Sequence, residues 1–505
     1  MTPEDPAARS RPVHLYGWHH PAILAAGSFA LAAGFAQFGA TAALGDVAKT
    51  FGATQTGTSI AAKVGLSGTT LGIGLAVIRL ASLGSLPLAG LADRFGRKLT
   101  LLGCVALGLA LTAAAALSPT FWWFVVIFAL GRPLLSATNT IAGVVAAEET
   151  TSRDRAKAIA LVTAGYAVGA GLTALLRGVL GDRLGFRGLF ALAVVPLAVT
   201  PLIARRLREP ERYQRLRTGA ALGVTAVDTE AVDTQPLNTE VPGTEVPGTH
   251  VPGTHAPGTH APGTHAPGTQ TPGTQTPGTQ TVETSTQARR TTGQLGADGG
   301  LRALWVIGRL RADLRGRLWV LTGLTFAFSF ANGPMITLVF LYGENELGMT
   351  RSATALMVLA AGPLGLVGLL TGRWAADTLG RRRAAGVAQA LAAMAGMITY
   401  SGSPAAAVGG YLLTITASAA YGPASAALAA ELFPTGVRAS VAGWLTAALA
   451  LGAVAGLVAF GRLTDALSSF GLGAVLVCAP VVGASLLFAR LPETVGLELE
   501  QSAPE

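Results

Sequence analysis

Uncharged runs long enough to cross a membrane alternate with short charged intervals along most of the chain. Apolar stretches cover 21–44, 64–92, 99–118, 121–147, 158–176 and 188–204, and after a long polar interval they return at 318–342, 352–372, 384–401, 405–430, 439–461 and 470–489. A helix needs about 20 predominantly apolar residues to cross the hydrocarbon core of a bilayer, and it satisfies its own backbone polar groups there, which an open strand does not. The pattern predicts an all-α membrane protein with twelve transmembrane helices. Two of the predicted spans contain a cation, Arg79 in the second and Arg132 in the fourth.

The two sets of six match in register as well as in number. Asp93 and Asp377 stand 284 positions apart, while Glu148 and Glu431, Arg155 and Arg438, and Asp182 and Asp465 each stand 283 apart. The turn at Ser118-Pro119 has its echo at Ser403-Pro404. A repeat of this size predicts two pseudo-symmetric six-helix bundles, a construction used by several transporter folds. The expected organisation is a tail over 1–20, a bundle over 21–204, a linker over 205–317, a second bundle over 318–489 and a tail over 490–505. Within the linker, Pro-Gly-Thr recurs every five residues from Pro242 to Thr279, a composition that cannot bury a core and predicts disorder. His250, His255, His260 and His265 fall in that repeat, where five-residue spacing in a flexible chain preforms no metal site.

Composition agrees with a membrane chain: half of the residues are hydrophobic, 12% are charged, and mean hydropathy is +0.50. The net charge of +9 is unevenly placed. Arg94, Arg97 and Lys98, then Arg153, Arg155 and Lys157, then Arg373 and Arg381 to Arg383, then Arg438 follow the even-numbered spans, and Arg205, Arg206 and Arg208 follow the sixth. The other face has fewer, among them Lys49, Lys63, Arg177, Arg183, Arg187, Arg351 and Arg462. Because basic loops stay on the cytoplasmic side, both termini are expected in the cytoplasm of a protein in the cell membrane, with the basic face against anionic lipid. Residues 1–20 lack the shape of a cleaved signal peptide. Tyr16, Trp18, Trp122, Trp123 and Trp319 stand at span ends, where aromatic side chains anchor to the interface.

No nucleic-acid motif, Ser-His-Asp arrangement, metal-ligand cluster or phosphate-binding glycine loop after a strand is present, so neither an enzyme nor a cofactor is expected. Cys104 and Cys478 each lie inside a predicted span and offer no disulfide framework.

The run Gly90-Leu91-Ala92-Asp93-Arg94-Phe95-Gly96-Arg97-Lys98 closes the second span, and Asp377-Thr378-Leu379-Gly380-Arg381-Arg382-Arg383 closes the eighth. The first resembles the loop signature between the second and third helices of the major facilitator superfamily, and the second sits where that family repeats it. Further agreement comes from Arg132, from Glu148 with Arg155, from Phe186-Arg187, from the stretch Glu431 to Arg438, and from Leu491-Pro492-Glu493-Thr494 in the C-terminal tail. The last two look like the metabolite and sugar porter branches. The resemblance implies a carrier that works by alternating access. It also implies a cytoplasmic charge network that closes the inner gate, formed by Gly90, Asp93, Arg94, Gly96, Arg97, Lys98, Glu148 and Arg155 with Asp377, Gly380, Arg381, Glu431 and Arg438. The plainer alternative is that these charges only set topology. Trp374 stands where Gly90 would align and Thr378 where Arg94 would, so the second copy is expected to be the weaker latch.

Ionisable residues at membrane depth are costly and usually face a cavity or a partner. Arg79 lies about three helical turns before Gly90, and Arg132 lies about as far into the fourth span from its other end, so both are expected near mid-membrane. Two cations without a carboxylate at their depth suggest a site for an organic anion, since a guanidinium pairs carboxylate or phosphate oxygens in a fork. The alternative gives Arg132 the coupling or packing role of the fourth-helix arginine in proton-coupled members of the family. Gln37, Asn139, Asn332, Thr337 and Trp444 are the polar residues that could complete a pocket, or could simply bond neighbouring helices. Asp46, at the outer end of the first span, is the candidate proton site, with uniport or anion exchange as alternatives.

The seventh span reads Ser329-Phe330-Ala331-Asn332-Gly333-Pro334 in place of the paired glutamines of sugar porters, and the fifth lacks the Gly-Pro signature of drug antiporters. The expected function is secondary active transport of a small organic anion or metabolite by a monomer, with the lipid bilayer and protons as further partners. Drug or metabolite efflux and a transporter-derived membrane sensor are the alternatives.

Overall fold

The computed structural model describes residues 17–52, 64–151, 154–207, 209 and 312–495. Residues 210–311 of the linker expected over 205–317, residues 1–16 and residues 496–505 lie outside them, while 312–317 belong to the helix that opens the second half. Among the described residues the chain is helical throughout, without strands.

In the first half α1 (Pro21–Ala42) starts on His20, whose ring accepts from the Ala22 N–H, and has a proline in its first turn. It is followed by α2 (Leu44–Phe51), α3 (Gly68–Ala81), α4 (Ser85–Phe95), α5 (Arg97–Ala115), α6 (Phe121–Glu149), α7 (Arg155–Ala191) and α8 (Val194–Ala204). The second half contains α9 (Ala312–Thr337), α10 (Val339–Asn345), α11 (Arg351–Thr378), α12 (Arg381–Thr399), α13 (Pro404–Glu431), α14 (Thr435–Leu467) and α15 (Phe470–Ser485).

Among the described residues, eleven helical stretches are long and apolar enough to cross a membrane. The remaining predicted span is α12, whose opening Arg381-Arg382-Arg383 and internal Gln389 lower its hydropathy. It has the same 19 residues as α5 and, like α5, begins directly after a glycine with a φ near +105°, so it takes the matching place in the repeat.

Several predicted spans are broken or fused, each for a local reason. The second was expected as one helix; instead a 3₁₀ turn over Ser82–Gly84 separates α3 from α4. Pro87, in the first turn of α4, has no N–H to give the carbonyl four residues back, so the α-helical ladder is interrupted there. The fifth and sixth run together in α7 and are divided at Gly185, where φ is +57°. Its partner in the repeat, 283 positions on, is Ser468, which ends α14 with a φ of +48°. The hydroxyl equivalent to Ser403 is Thr120 and not Ser118: Thr120 caps α6 through the Trp123 N–H at 3.4 Å, as Ser403 caps α13 through the Ala406 N–H at 3.2 Å.

Within each half the matching helices press their backbones together. α1 lies along α7 and α9 along α14. A Cβ on Gly169 would strike the Leu31 carbonyl, and one on its repeat mate Gly452 would strike the Phe326 carbonyl, so only glycine permits either approach. Aromatic clusters fill the bundles: Phe124, Phe128, Phe186 and Phe190 pack edge-to-face or stacked in the first, and Tyr342, Tyr400, Phe460 and Phe470 pack at tilted, edge-to-face or stacked angles in the second. The halves meet where α3 packs on α14 and α7 on α11. Gly68 and Gly72 of α3 face the carbonyls of Gly461 and Leu457 of α14, which places this contact at the end of the molecule where α3 starts and α14 finishes.

Candidate functional site

Between the two halves, α1, α3, α6, α9 and α14 enclose a narrow cavity lined by Gln37, Arg79, Arg132, Thr337 and Leu457 among others. The break in the second span helps to build it. Ser82, in the 3₁₀ turn, accepts from Arg132 Nε at 3.3 Å, and Arg132 Nη1 also donates to the Gln37 carbonyl at 3.2 Å. No described residue hydrogen-bonds or pairs with the Arg79 guanidinium, which is half-buried beside Arg132. Gln37 is 4% exposed; its Oε1 accepts from the Tyr166 hydroxyl at 3.4 Å, and its Nε2 is buried without a partner. Among the described lining residues there is no carboxylate. The cavity thus collects two guanidinium groups and an orphaned amide donor with no resident counter-charge.

The other predicted pocket residues are elsewhere. Asn332 accepts from Ser418 Oγ at 2.7 Å, joining α9 to α13. Trp444 donates to Thr322 Oγ1 at 2.9 Å and packs edge-on against Trp319. Asn139 has a buried Oδ1 with no partner and does not line the cavity.

Asp46 is also outside the cavity, in a buried ion cluster that sequence reasoning did not assemble. Its two carboxylate oxygens accept from Arg177 Nε at 3.0 Å and Arg351 Nη2 at 2.7 Å. Arg177 then forks onto Glu344, with Nη1 to Oε1 at 2.5 Å and Nη2 to Oε2 at 2.6 Å, and Thr354 Oγ1 donates to Glu344 at 2.8 Å. The side chains of Arg177, Asp46 and Glu344 are 4%, 8% and 7% exposed. Asp46 and Arg177 belong to the first half, Glu344, Arg351 and Thr354 to the second. A second bridge lies at the same end: Asp465 of α14 accepts from the N–H groups of Gly68 and Thr69 at 2.7 Å each and from Thr69 Oγ1 at 2.6 Å, so a carboxylate of one half caps the N-terminus of α3 in the other. The clue available in the sequence was that Arg177, Glu344 and Arg351 sit within apolar surroundings at span ends, each near a charge of opposite sign.

The loop-signature residues form two related networks at the opposite end, where α5 and α12 start. Arg97 pairs with Glu148, and the backbone N–H groups of Arg97 and Lys98 donate to Glu209, the latter at 3.1 Å. In the repeat, Arg381 pairs with Asp377 and with Glu431 at 3.3 Å, and its N–H donates to Glu493 Oε1 at 2.7 Å. Thr494 closes the ring by donating to Glu431 at 2.5 Å. Gly96 and Gly380 have φ of +109° and +104°, and a Cβ on Gly380 would sit 2.5 Å from Glu493. These pairs lie within each half. Arg438 Nη2 reaches its neighbouring Phe433 carbonyl at 3.4 Å. The side chains of Asp93, Arg94 and Arg155 fall outside the described structure. Sequence reading missed Glu209 and Glu493 as helix caps, although they too stand 284 apart.

Comparison with known proteins places this geometry. A family model described as Major Facilitator Superfamily matches residues 24–456. Among curated proteins, the chain is 29% identical over 135 residues to a Haemophilus influenzae protein named for metabolite transport; the match spans 27% of this chain and 33% of that protein, so it covers only a third of the relative's length. Among solved structures, the inward open conformation of the xylose transporter XylE from E. coli aligns with a TM-score of 0.63 at 16% identity, over 95% of this chain and 98% of that one. The nucleoside transporter NupG aligns with a TM-score of 0.60 at 10% identity, over 93% and 99%. At these identities the likeness is one of fold.

Proposed function

The chain belongs to the major facilitator superfamily, and from that premise we propose that it carries a small organic anion across the cell membrane by alternating access, binding it at Arg79, Arg132 and Gln37. The observation that supports this reading most is the charge imbalance of the central cavity, where two guanidinium groups and the orphaned Gln37 Nε2 converge without a described carboxylate. An uncompensated cation at membrane depth is expensive. A bound carboxylate or phosphate would neutralise it and accept charge-assisted hydrogen bonds of about 1.5–3 kcal/mol each. Arg132 is already oriented by Ser82 and the Gln37 carbonyl, which leaves Arg79 as the group free to capture the ligand.

Gating follows from where the bonds between halves lie. Distribution of basic loops puts the Asp46–Arg177–Glu344–Arg351 cluster and the Asp465 cap on the outer side, with both termini in the cytoplasm. We read the conformation as closed to the outside, with Asp46 acting in the gate and not as a proton carrier. Opening outward would exchange these bonds for water, and the loop-signature networks would then be drawn together across the inner side. The solved relative in an inward open conformation is consistent with that assignment.

Binding by purified protein tests the site. Small mono- and dicarboxylates and sugar phosphates should raise its thermal stability and neutral sugars should not; stabilisation by neutral sugars alone would replace the anion with a neutral metabolite, the reading favoured by the xylose transporters among its structural neighbours. Counterflow in proteoliposomes separates a carrier from a membrane sensor, because a sensor would bind the ligand without moving it.

A further inference from the structure

A groove of about 340 Å³ runs between α12 and the end of α15 and shares no lining residue with the central cavity. Its walls are Gly386, Val387, Ala390 and Leu486, and two arginines, Arg382 and Arg383, stand at one end. Arg382 is held in place: Nη1 donates to the carbonyls of Ala489 at 3.2 Å and Leu491 at 2.9 Å, and Nε lies 3.6 Å from Glu493. Arg383 is exposed, and no described residue bonds its guanidinium. α12 packs on α9, α11, α13 and α15, all of its own half.

The groove continues along an apolar stripe. Val387, Leu391, Met394 and Ile398 of α12 are all exposed and recur at intervals of three and four, which puts them on one face of the helix. From Val387 to Ile398 that face rises about 16 Å at 1.5 Å per residue, close to the ~15 Å depth of one leaflet. In a protein whose helices span the bilayer, an exposed stripe of this length faces acyl chains. At its head is a cation at the level where lipid phosphates lie, on the side that basic loops assign to the cytoplasm and that carries anionic lipid.

We propose that this groove is a binding site for an anionic phospholipid, with the phosphate on Arg383, Arg382 completing the basic end, and an acyl chain along Val387, Ala390 and Leu486. Glu493, already engaged with Arg382 and the Arg381 N–H, leaves Arg383 as the uncompensated charge, and this favours a net anionic headgroup over a zwitterionic one that carries its own cation. The test uses the purified, delipidated full chain in detergent, with phosphatidylglycerol, phosphatidylcholine of the same acyl chains, and glycerol 3-phosphate as probes. Phosphatidylglycerol is expected to raise the melting temperature by several degrees and to persist as a bound adduct in native mass spectrometry. Phosphatidylcholine should give less than half that shift, and glycerol 3-phosphate none. Arg383→Gln should remove at least half of the phosphatidylglycerol shift, and Ala390→Phe, which fills the groove and keeps both cations, should remove the adduct. Equal shifts with the two lipids, or an undiminished phosphatidylglycerol shift in both variants, would overturn the proposal. Full stabilisation by glycerol 3-phosphate would overturn it too, assigning the basic end to a free phosphate ester.

Discussion

Arg79 and Arg132 show how differently two similar residues can be placed: one is bonded to Ser82 and to a helix carbonyl, the other has no described partner. If Arg79 pairs with the substrate, Arg79→Gln should weaken binding roughly 10- to 100-fold, the equivalent of about 1.5–3 kcal/mol for one charge-assisted hydrogen bond, as measured by ligand titration of folded protein; unchanged affinity would exclude direct contact. Arg177 is tested by coupling. Removing one partner of a buried pair leaves an unpaired charge and costs about 3–5 kcal/mol, so Arg177→Gln should destabilise the conformation in which this cluster is formed. The double variant with Glu344→Gln should cost less than the sum of the singles by 0.5 kcal/mol or more, and strict additivity would deny that the two side chains act together. Gly380 has a conformation that only glycine adopts readily, so Gly380→Ala should lower stability by about 1–3 kcal/mol, and Gly96→Ala by a similar amount, in thermal unfolding.

At the level of elements, the repeat appears in how helices begin and how they touch. Thr120 and Ser403 cap α6 and α13 in the same way, and Thr120→Ala or Ser403→Ala should each cost about 1 kcal/mol, detectable as a small fall in melting temperature with transport retained. The length of the uncharged runs was sufficient to find the spans, because a helix in lipid has to meet its own hydrogen bonds whatever surrounds it. It was not sufficient for the 3₁₀ turn at Ser82–Gly84 or the division of α7 at Gly185. Those breaks occur inside uniformly apolar runs, where the only signals are Pro87 and a glycine among many glycines. The turn presents Ser82 to Arg132, beside the cavity proposed to bind substrate.

Across the molecule the two halves are built alike and joined unequally. At one end Arg177, Asp46, Glu344, Arg351 and Asp465 bond across the boundary; at the other, the described pairs of Arg97 with Glu148 and of Arg381 with Asp377 and Glu431 each join residues of one half. An alternating carrier needs an imbalance of this kind that can reverse. Asp93→Asn, at the acid that the family resemblance assigns to the gate, should slow transport in vesicles while membrane insertion remains intact; full activity would leave this charge with a topological role only.

The amino-acid sequence by itself determined the membrane class, the six-plus-six repeat and the family, and it put Arg79 and Arg132 within apolar spans, because span length, charge placement and repeat offset are properties of position along the chain. Only the tertiary structure decided that Gln37, Arg79 and Arg132 share a cavity while Asn332 and Trp444 do not, and that Asp46 belongs to a four-charge cluster spanning both halves. Those partners lie as many as 305 positions apart. Which of several buried charges meet is set by how helices from the two halves pack, and no local pattern in the chain records that.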